Sequence, residues 1–299
     1  MIATNMADLS VTLQVLVNGI LVGLLLALAA VGLSLVFGVM KVVNVAHGEF
    51  IMLSAYATFW LYTWWGINPL LSFLPVVALA GLLGYLMYGG LISNIMDRES
   101  LENDSLLITF GVSIILINVA RLAWEPNRRS YQFLVGSYEF LGVRFGKSLL
   151  LAGSFAIALY VAVYLVLNRT QLGRAIRATA QNREQANRVG INVRNIDAKT
   201  FVLASVLAAS SGTLLSMFRS ITPNMGFEFV LDSFVVMILG GLGSFFGAFV
   251  GAILYSSVDH LGGHLFDITT GNILALSLVF LVLVFFPSGL FGTPGRRDR

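Results

Sequence analysis

Asn44, His47 and Glu49 stand together at the edge of a long uncharged stretch, and an ionisable pair beside an amide could gate a passage or line a substrate path. Polar groups at membrane depth are costly, so a functional role is the default hypothesis for them. His47 and Glu49 are two residues apart and do not share a helix face, which argues against a joint metal site. They either knot helix ends together through hydrogen bonds or line a path used in gating or by a substrate; residue types alone leave both open. His260 and His264 have the four-residue spacing of zinc ligands on a helix, with Asp259 and Asp267 nearby. Gly262-Gly263 lies between them and weakens a helix, so a polar rim is the better reading and no metal site is assigned. Gly142-Val-Arg-Phe-Gly146-Lys147-Ser148 looks like a phosphate-binding loop but is one residue short, with Leu141 where the first glycine belongs. With no cysteine, disulfides, thiol nucleophiles and cysteine–metal clusters are excluded. No paired-Asp, Ser–His or His-Glu-x-x-His constellation falls within the apolar runs. The chain reads as a non-enzyme that binds no cofactor of its own.

The elements that must carry these residues are set by composition. Of 299 residues 57% are apolar and 11% charged, against about 25% charged in soluble domains. Seven stretches, from Leu9–Met40 to Ile268–Gly295, run without a charge, and about 20 apolar residues suffice to cross a bilayer. This excludes soluble enzymes and nucleic-acid-binding modules. The runs are continuous rather than alternating, so helices and not a barrel are expected. The fold class is all-α: a polytopic helical membrane protein of about 8 spans, one domain over 1–299. Spans are expected near 12–34, 46–65, 69–93, 104–123, 148–168, 199–218 and 271–290, with a glycine-interrupted segment near 229–258. The second and third are separated at Gly66-Ile67-Asn68-Pro69, where Pro69 can open a helix. The start, MIATNMADLS, has no basic residue before the first apolar run, so that run is expected to be a permanent span.

Segment 169–199 holds seven of the 18 basic residues, Arg169, Arg174, Arg177, Arg183, Arg188, Arg194 and Lys199, against Glu184 and Asp197. That excess marks a cytoplasmic loop, as do Arg296, Arg297 and Arg299 in the tail. An even number of crossings must then separate them. Gly240-Gly241-Leu242-Gly243-Ser244 could split 229–258 into two short half-helices, a discontinuous or re-entrant arrangement tolerated inside protein. Loop 259–267 would then face outside. Gly243, Gly247 and Gly251 recur every four residues and favour close helix packing. Within the basic loop, Leu172, Ala175, Ile176 and Thr179 share a helix face, and Asn182 can cap a second short helix. Ala186 and Val189 would be its apolar side, and Gly190 can end it in the left-handed conformation. The loop is either a positive-inside anchor or a docking knob for a soluble partner.

Gly173-Arg-Ala-Ile-Arg-Ala…Ala186-x-x-x-Gly190-Ile-Asn-Val resembles the coupling loop of bacterial branched-chain amino acid ABC-transporter permeases. Gly32-Leu-Ser-Leu-Val-Phe-Gly38, Asn44-Val-Ala-His-Gly-Glu-Phe50 and Gly240-Gly-Leu-Gly-Ser244 with Gly247 and Gly251 match the same family in the same order. The chain is similar to the shorter, H-type subunit, and urea and amide permeases share these motifs. The resemblance implies a multi-pass subunit of the bacterial inner membrane that helps import leucine, isoleucine, valine or close relatives. Its partners would be a second homologous permease, two cytoplasmic ATP-binding subunits, a periplasmic solute-binding protein and membrane lipid, with no nucleic acid. ATP and Mg would be used by the ATP-binding subunits. Gly173, Arg174, Arg177, Ala178, Ala186, Gly190 and Ile191 would couple to them; Asn44, His47, Glu49, Gly240, Gly241 and Gly243 would serve gating or the substrate path; Gly247 and Gly251 would pack helices. A stand-alone secondary transporter or channel is the rival class, expected to show inverted repeats or buried coupling charges.

Overall fold

Backbone in an apolar run has no partner but itself, and helices satisfy every amide within one segment. The computed structural model describes residues 2–140 and 142–292; Leu141 and the basic tail with Arg296, Arg297 and Arg299 lie outside the described residues. Helices α1 (Ile2–Met40), α2 (His47–Trp65), α3 (Pro69–Gly90) and α4 (Leu101–Trp124) are followed by a hairpin, β1 (Ser137–Phe140) with β2 (Val143–Gly146). Then come α5 (Lys147–Arg169), the short α6 (Gln171–Gln181) and α7 (Arg183–Arg188), and α8 (Val193–Leu215), α9 (Met225–Gly240), α10 (Phe245–Leu265) and α11 (Ile268–Phe285). Among the described residues, α1, α3, α4, α5, α8, α10 and α11 are long and apolar enough to cross a membrane. With α2 and the short α9, the bundle matches a polytopic helical fold.

Helices α1 and α8 form the centre, buried over most of their length, while α4 and α11 lie at the margin. Thr200, Ser205, Ser210 and Ser233 return their hydroxyls to the carbonyl four residues back, which satisfies these side chains within their own helices. One end of the bundle carries the basic loop. The other carries all four tryptophans, Trp60, Trp64, Trp65 and Trp124, where amphipathic rings suit a membrane interface. At that end Gly66 takes a left-handed turn, and Asn68 caps α3 through the Leu70 amide at 2.9 Å, with Pro69 as first helical residue.

Two expectations are corrected. Segment 229–258 does not become two short half-helices. Only α9 is short, 16 residues or about 24 Å, whereas α10 runs 21 residues, about 31 Å, enough for a full crossing. And 259–267 is not a loop: α10 continues through Leu265, so His260 and His264 sit in its last turns, with His260 Nδ1 2.8 Å from the Ser256 carbonyl. Only Phe266 and Asp267 link it to α11. Asp267 caps α11 through the Thr270 amide and hydroxyl, bonds that hold its carboxyl below the usual carboxylate range. Asp232 on α9 meets Tyr255 on α10 at 3.1 Å, Gly19 on α1 lies against Ser256, and Gly38 lies against Gly243. The α9–α10 turn therefore lies at the end of α1 that meets the basic loop. Helices α8, α10 and α11 are each long enough to cross, and the short α9 brings the chain back to the basic-loop end before α10 starts.

Candidate functional site

Helix α1 ends at Met40 and α2 does not start beside it. Lys41 adopts a left-handed φ of 58°, residues 42–44 continue outside any helix, and Val45-Ala46 turn into α2. His47 Nε2 meets the Ala29 carbonyl at 3.0 Å, and its ring fills the space over Gly32. Those positions are about 12–16 Å up α1 from its end. Glu49 is level with Ser113, halfway along α4. Asn44, His47 and Glu49 were expected at the boundary of the bundle; the structure buries them completely and places them near its middle.

A stripe of hydroxyls on α4 makes this possible. Ser105 Oγ accepts from the Val43 amide at 3.0 Å, and Thr109 Oγ1 accepts from the Val45 amide at 3.0 Å while donating to the Val43 carbonyl. Ser113 donates to Glu49 Oε1 at 2.9 Å. Unpaired amides cost about 1–3 kcal/mol each when buried, so these hydroxyls decide whether the chain can unwind here. On the other side, Gly48 and Gly226 bring the first turns of α2 and α9 backbone to backbone. A Cβ on Gly48 would strike the Gly226 carbonyl, and one on Gly226 would lie 2.8 Å from Glu49 Oε2. Asn44 Oδ1, His47 Nδ1 and Glu49 Oε2 have no hydrogen-bond partner among the described residues. His47 faces α1 and Glu49 faces α4, so the group is gathered at one depth but does not converge on one point.

At the α9–α10 turn, Gly241 and Gly243 take φ of 103° and 80°, conformations that only glycine adopts freely. Gly240 and Gly247 abut through their backbones, Gly251 lies against Val236, and Gly241 lies against Gly289 and Gly292. A cavity of about 190 Å³ between this turn and the basic loop is lined by Ser34, Gly38, Ile176, Arg177 and Gly243, among others. The structure thus brings one candidate path residue, Gly243, close to one candidate coupling residue, Arg177.

The basic loop is a two-helix knob folded onto the bundle. Thr170 caps α6 through the Gly173 amide at 3.1 Å, Asn182 caps α7 through the Gln185 amide at 2.9 Å, and Asn192 caps α8 through the Asn195 amide at 3.0 Å. Such caps contribute about 1 kcal/mol each. Gly173 sits directly on the Leu167 carbonyl, which also accepts from Arg177 Nη1. Ile176 and Thr179 are buried, Ala178 and Ile191 half-buried, Arg174 exposed. Gly190 is left-handed at φ 87° with open space around it. Val189 was expected beside Ala186 on the apolar underside; instead Ala186 is buried and Val189 is 77% exposed. A six-residue helix has one anchoring point, and Val189 is already the residue that caps its end. A polar groove of about 560 Å³, lined by Asp97, Glu184, Asn187, Gly190 and Arg194 among others, opens beside it.

Two groups escaped the sequence reading: the α4 hydroxyls and the pair of half-exposed Arg183 with buried Asp197. The first was present as the four-residue spacing of Ser105, Thr109 and Ser113. The second carried no signal, because both residues sit in a loop whose charge is read as a sum.

Comparison with known proteins places this arrangement. The family model described as branched-chain amino acid transport system / permease component matches residues 15–287. The chain is 32% identical to the high-affinity branched-chain amino acid transport system permease protein BraD of Pseudomonas aeruginosa, over 94% of this chain and 96% of BraD. It is 28% identical to LivH of Escherichia coli K12, a permease protein of the same description, over 94% of this chain and 96% of LivH. LivM of that organism, again a permease protein of that description, is 26% identical over 87% of this chain and 66% of LivM.

Proposed function

The chain belongs to the permease-component family of branched-chain amino acid transport systems, and from that premise we propose that it carries leucine, isoleucine, valine or close relatives across the membrane as one subunit of an ATP-driven importer. The observation that carries this reading is the family match over nearly the whole length of a multi-pass bundle. The similarity to both LivH and LivM of one organism supports pairing with a second, homologous permease. An ATP-binding subunit would dock at the knob 170–192, where Val189 and Gly190 are open to contact, and the two such subunits of the importer would consume the ATP and Mg. A periplasmic solute-binding protein would deliver substrate at the tryptophan-rich end. Alternation between states of the bundle requires that a ligand or nucleotide favour one of them. Asn44, His47 and Glu49 are buried at mid-depth with unpartnered polar atoms, which a state that uncovers them would offer to a passing amino acid.

Reconstitution tests this directly. In liposomes the chain alone should neither hydrolyse ATP nor concentrate leucine. Uptake should appear when the second permease, both ATP-binding subunits and the binding protein are present, and it should require ATP. Concentrative uptake by the chain alone, driven by a proton or sodium gradient, would overturn the reading in favour of a secondary transporter.

A further inference from the structure

We propose that Arg183 is a positioning residue that carries displacement of the knob into the membrane helices, an inference that rests on the importer reading above. Arg183 opens α7, the outermost piece of the knob. Its fork reaches three acceptors on two other elements. Nη1 donates to Asp197 Oδ1 at 2.9 Å and to the Val39 carbonyl at 3.1 Å, and Nη2 donates to Asp197 Oδ2 at 2.6 Å. Asp197, in the second turn of α8, is fully buried. Val39 is the last residue but one of α1, where helix carbonyls lack an intrahelical partner and a cation is favoured. One planar, rigid side chain thus ties α7 to the ends of the two most buried helices of the bundle.

Stability does not account for the pair. Taking a carboxylate fully out of water is expensive, and apolar residues of similar volume generally do as well or better. Its geometry does account for it. Apart from Arg183, α7 is anchored by Ala186, since its other ion pair, Arg188 with Glu184, is internal to the helix and exposed. Motion imposed on α7 therefore reaches the bundle through the guanidinium. Two residues beyond Val39, Lys41 begins the non-helical link that contains Asn44 and leads into His47 and Glu49 of α2. Through the Val39 carbonyl, Arg183 joins the docking end to the helix whose C-terminal link leads to the mid-depth polar group.

The test is leucine uptake per ATP hydrolysed, in the complete complex reconstituted with both ATP-binding subunits, the second permease and the binding protein. Arg183→Met combined with Asp197→Leu removes the clamp without stranding a charge. ATP hydrolysis should persist while uptake per ATP falls about tenfold, the scale on which residues that transmit coupling act. Arg183→Lys keeps the charge but cannot bond both carboxylate oxygens and Val39 together, so it should also lower the ratio, to a smaller extent. An unchanged ratio in the double variant overturns the proposal; if that variant fails to assemble, an unchanged ratio in Arg183→Lys does so. A purely structural role would reduce the yield or melting temperature of the complex and leave the ratio alone. Absence of ATP-dependent uptake in the unaltered complex would instead sink the importer reading, and this proposal with it.

Discussion

Segment 41–46, deep in the bundle, and the turn 241–244, at the end beside the basic loop, both link two helices, and they satisfy the freed backbone by opposite chemistry. At 41–46 the partners are side chains, the hydroxyls of Ser105 and Thr109 on a neighbouring helix. At 241–244 they are backbone. Gly241 donates to the Met237 carbonyl at 3.1 Å, Ser244 donates to the Gly241 carbonyl at 2.9 Å, and the incoming Leu290 and Phe291 donate to Leu239 and Gly240. The glycine turn works by having no side chains in the way; the non-helical link works by having the right ones beside it. The first solution is rigid, because two helices lie in backbone contact. The second can be exchanged, because a hydroxyl can rotate to another acceptor, as Thr109 does in reaching both Val43 and, at 3.4 Å, Leu106.

The largest effect expected from this contrast is at Gly247. A Cβ there would collide with the Gly240 carbonyl, and neither helix can yield without opening the pair. Gly247→Val should cost about 3 kcal/mol or more, since overpacking alone costs roughly 1–3 kcal/mol where side chains can adjust. Loss of folded protein in a detergent melting assay checks it. Gly190→Ala, left-handed but in open space, should cost only about 1–2 kcal/mol and serves as the comparison.

Next comes Thr109→Val, which keeps the shape and removes the hydroxyl. It leaves the Val45 amide and the Val43 carbonyl buried without this partner, at about 1–3 kcal/mol. Thr109→Ser should recover most of the loss. A Val variant as stable and active as the unaltered protein would show that the hydroxyls are ornamental and that 41–46 is held by packing.

The smallest effect is at Ser244, whose side chain caps α10 through the Gly247 amide at 3.0 Å. Ser244→Ala should lower stability by about 1 kcal/mol. A loss several times larger would mean that the turn depends on a side chain after all, and the contrast would fade.

The glycine interruption was legible in the sequence and the hydroxyl one was not, for a physical reason. Gly240, Gly241 and Gly243 announce positive φ and close approach by their type alone. Serine and threonine in an apolar helix ordinarily bond their own chain four residues back, as Thr200 and Ser205 do here. The spacing of Ser105, Thr109 and Ser113 therefore says only that they share a face. The depth of His47 and Glu49 was also hidden: counting from the nearest charge locates a helix along the chain, not how deep the non-helical link before it has already reached. The spans themselves, the start of α3 at Pro69 and the caps of the basic loop were readable, because apolar length and capping residues act locally. Val189 was misplaced because helix periodicity was applied to a piece too short to have two faces.

The hydroxyl stripe also bears on how the protein is made. Val43 and its partner Ser105 are 62 residues apart, and Val45 and Thr109 are 64 apart. A ribosome needs about 3–13 s to cover that distance at 5–20 residues per second. Through that interval α1 and α2 have been synthesised, yet the link between them has no partner for its amides that lipid could replace. The hairpin α1–α2 cannot be released to the bilayer as a finished unit. The native form of that link is completed only when α4 supplies Ser105 and Thr109, so the first four helices depend on one another rather than forming one by one.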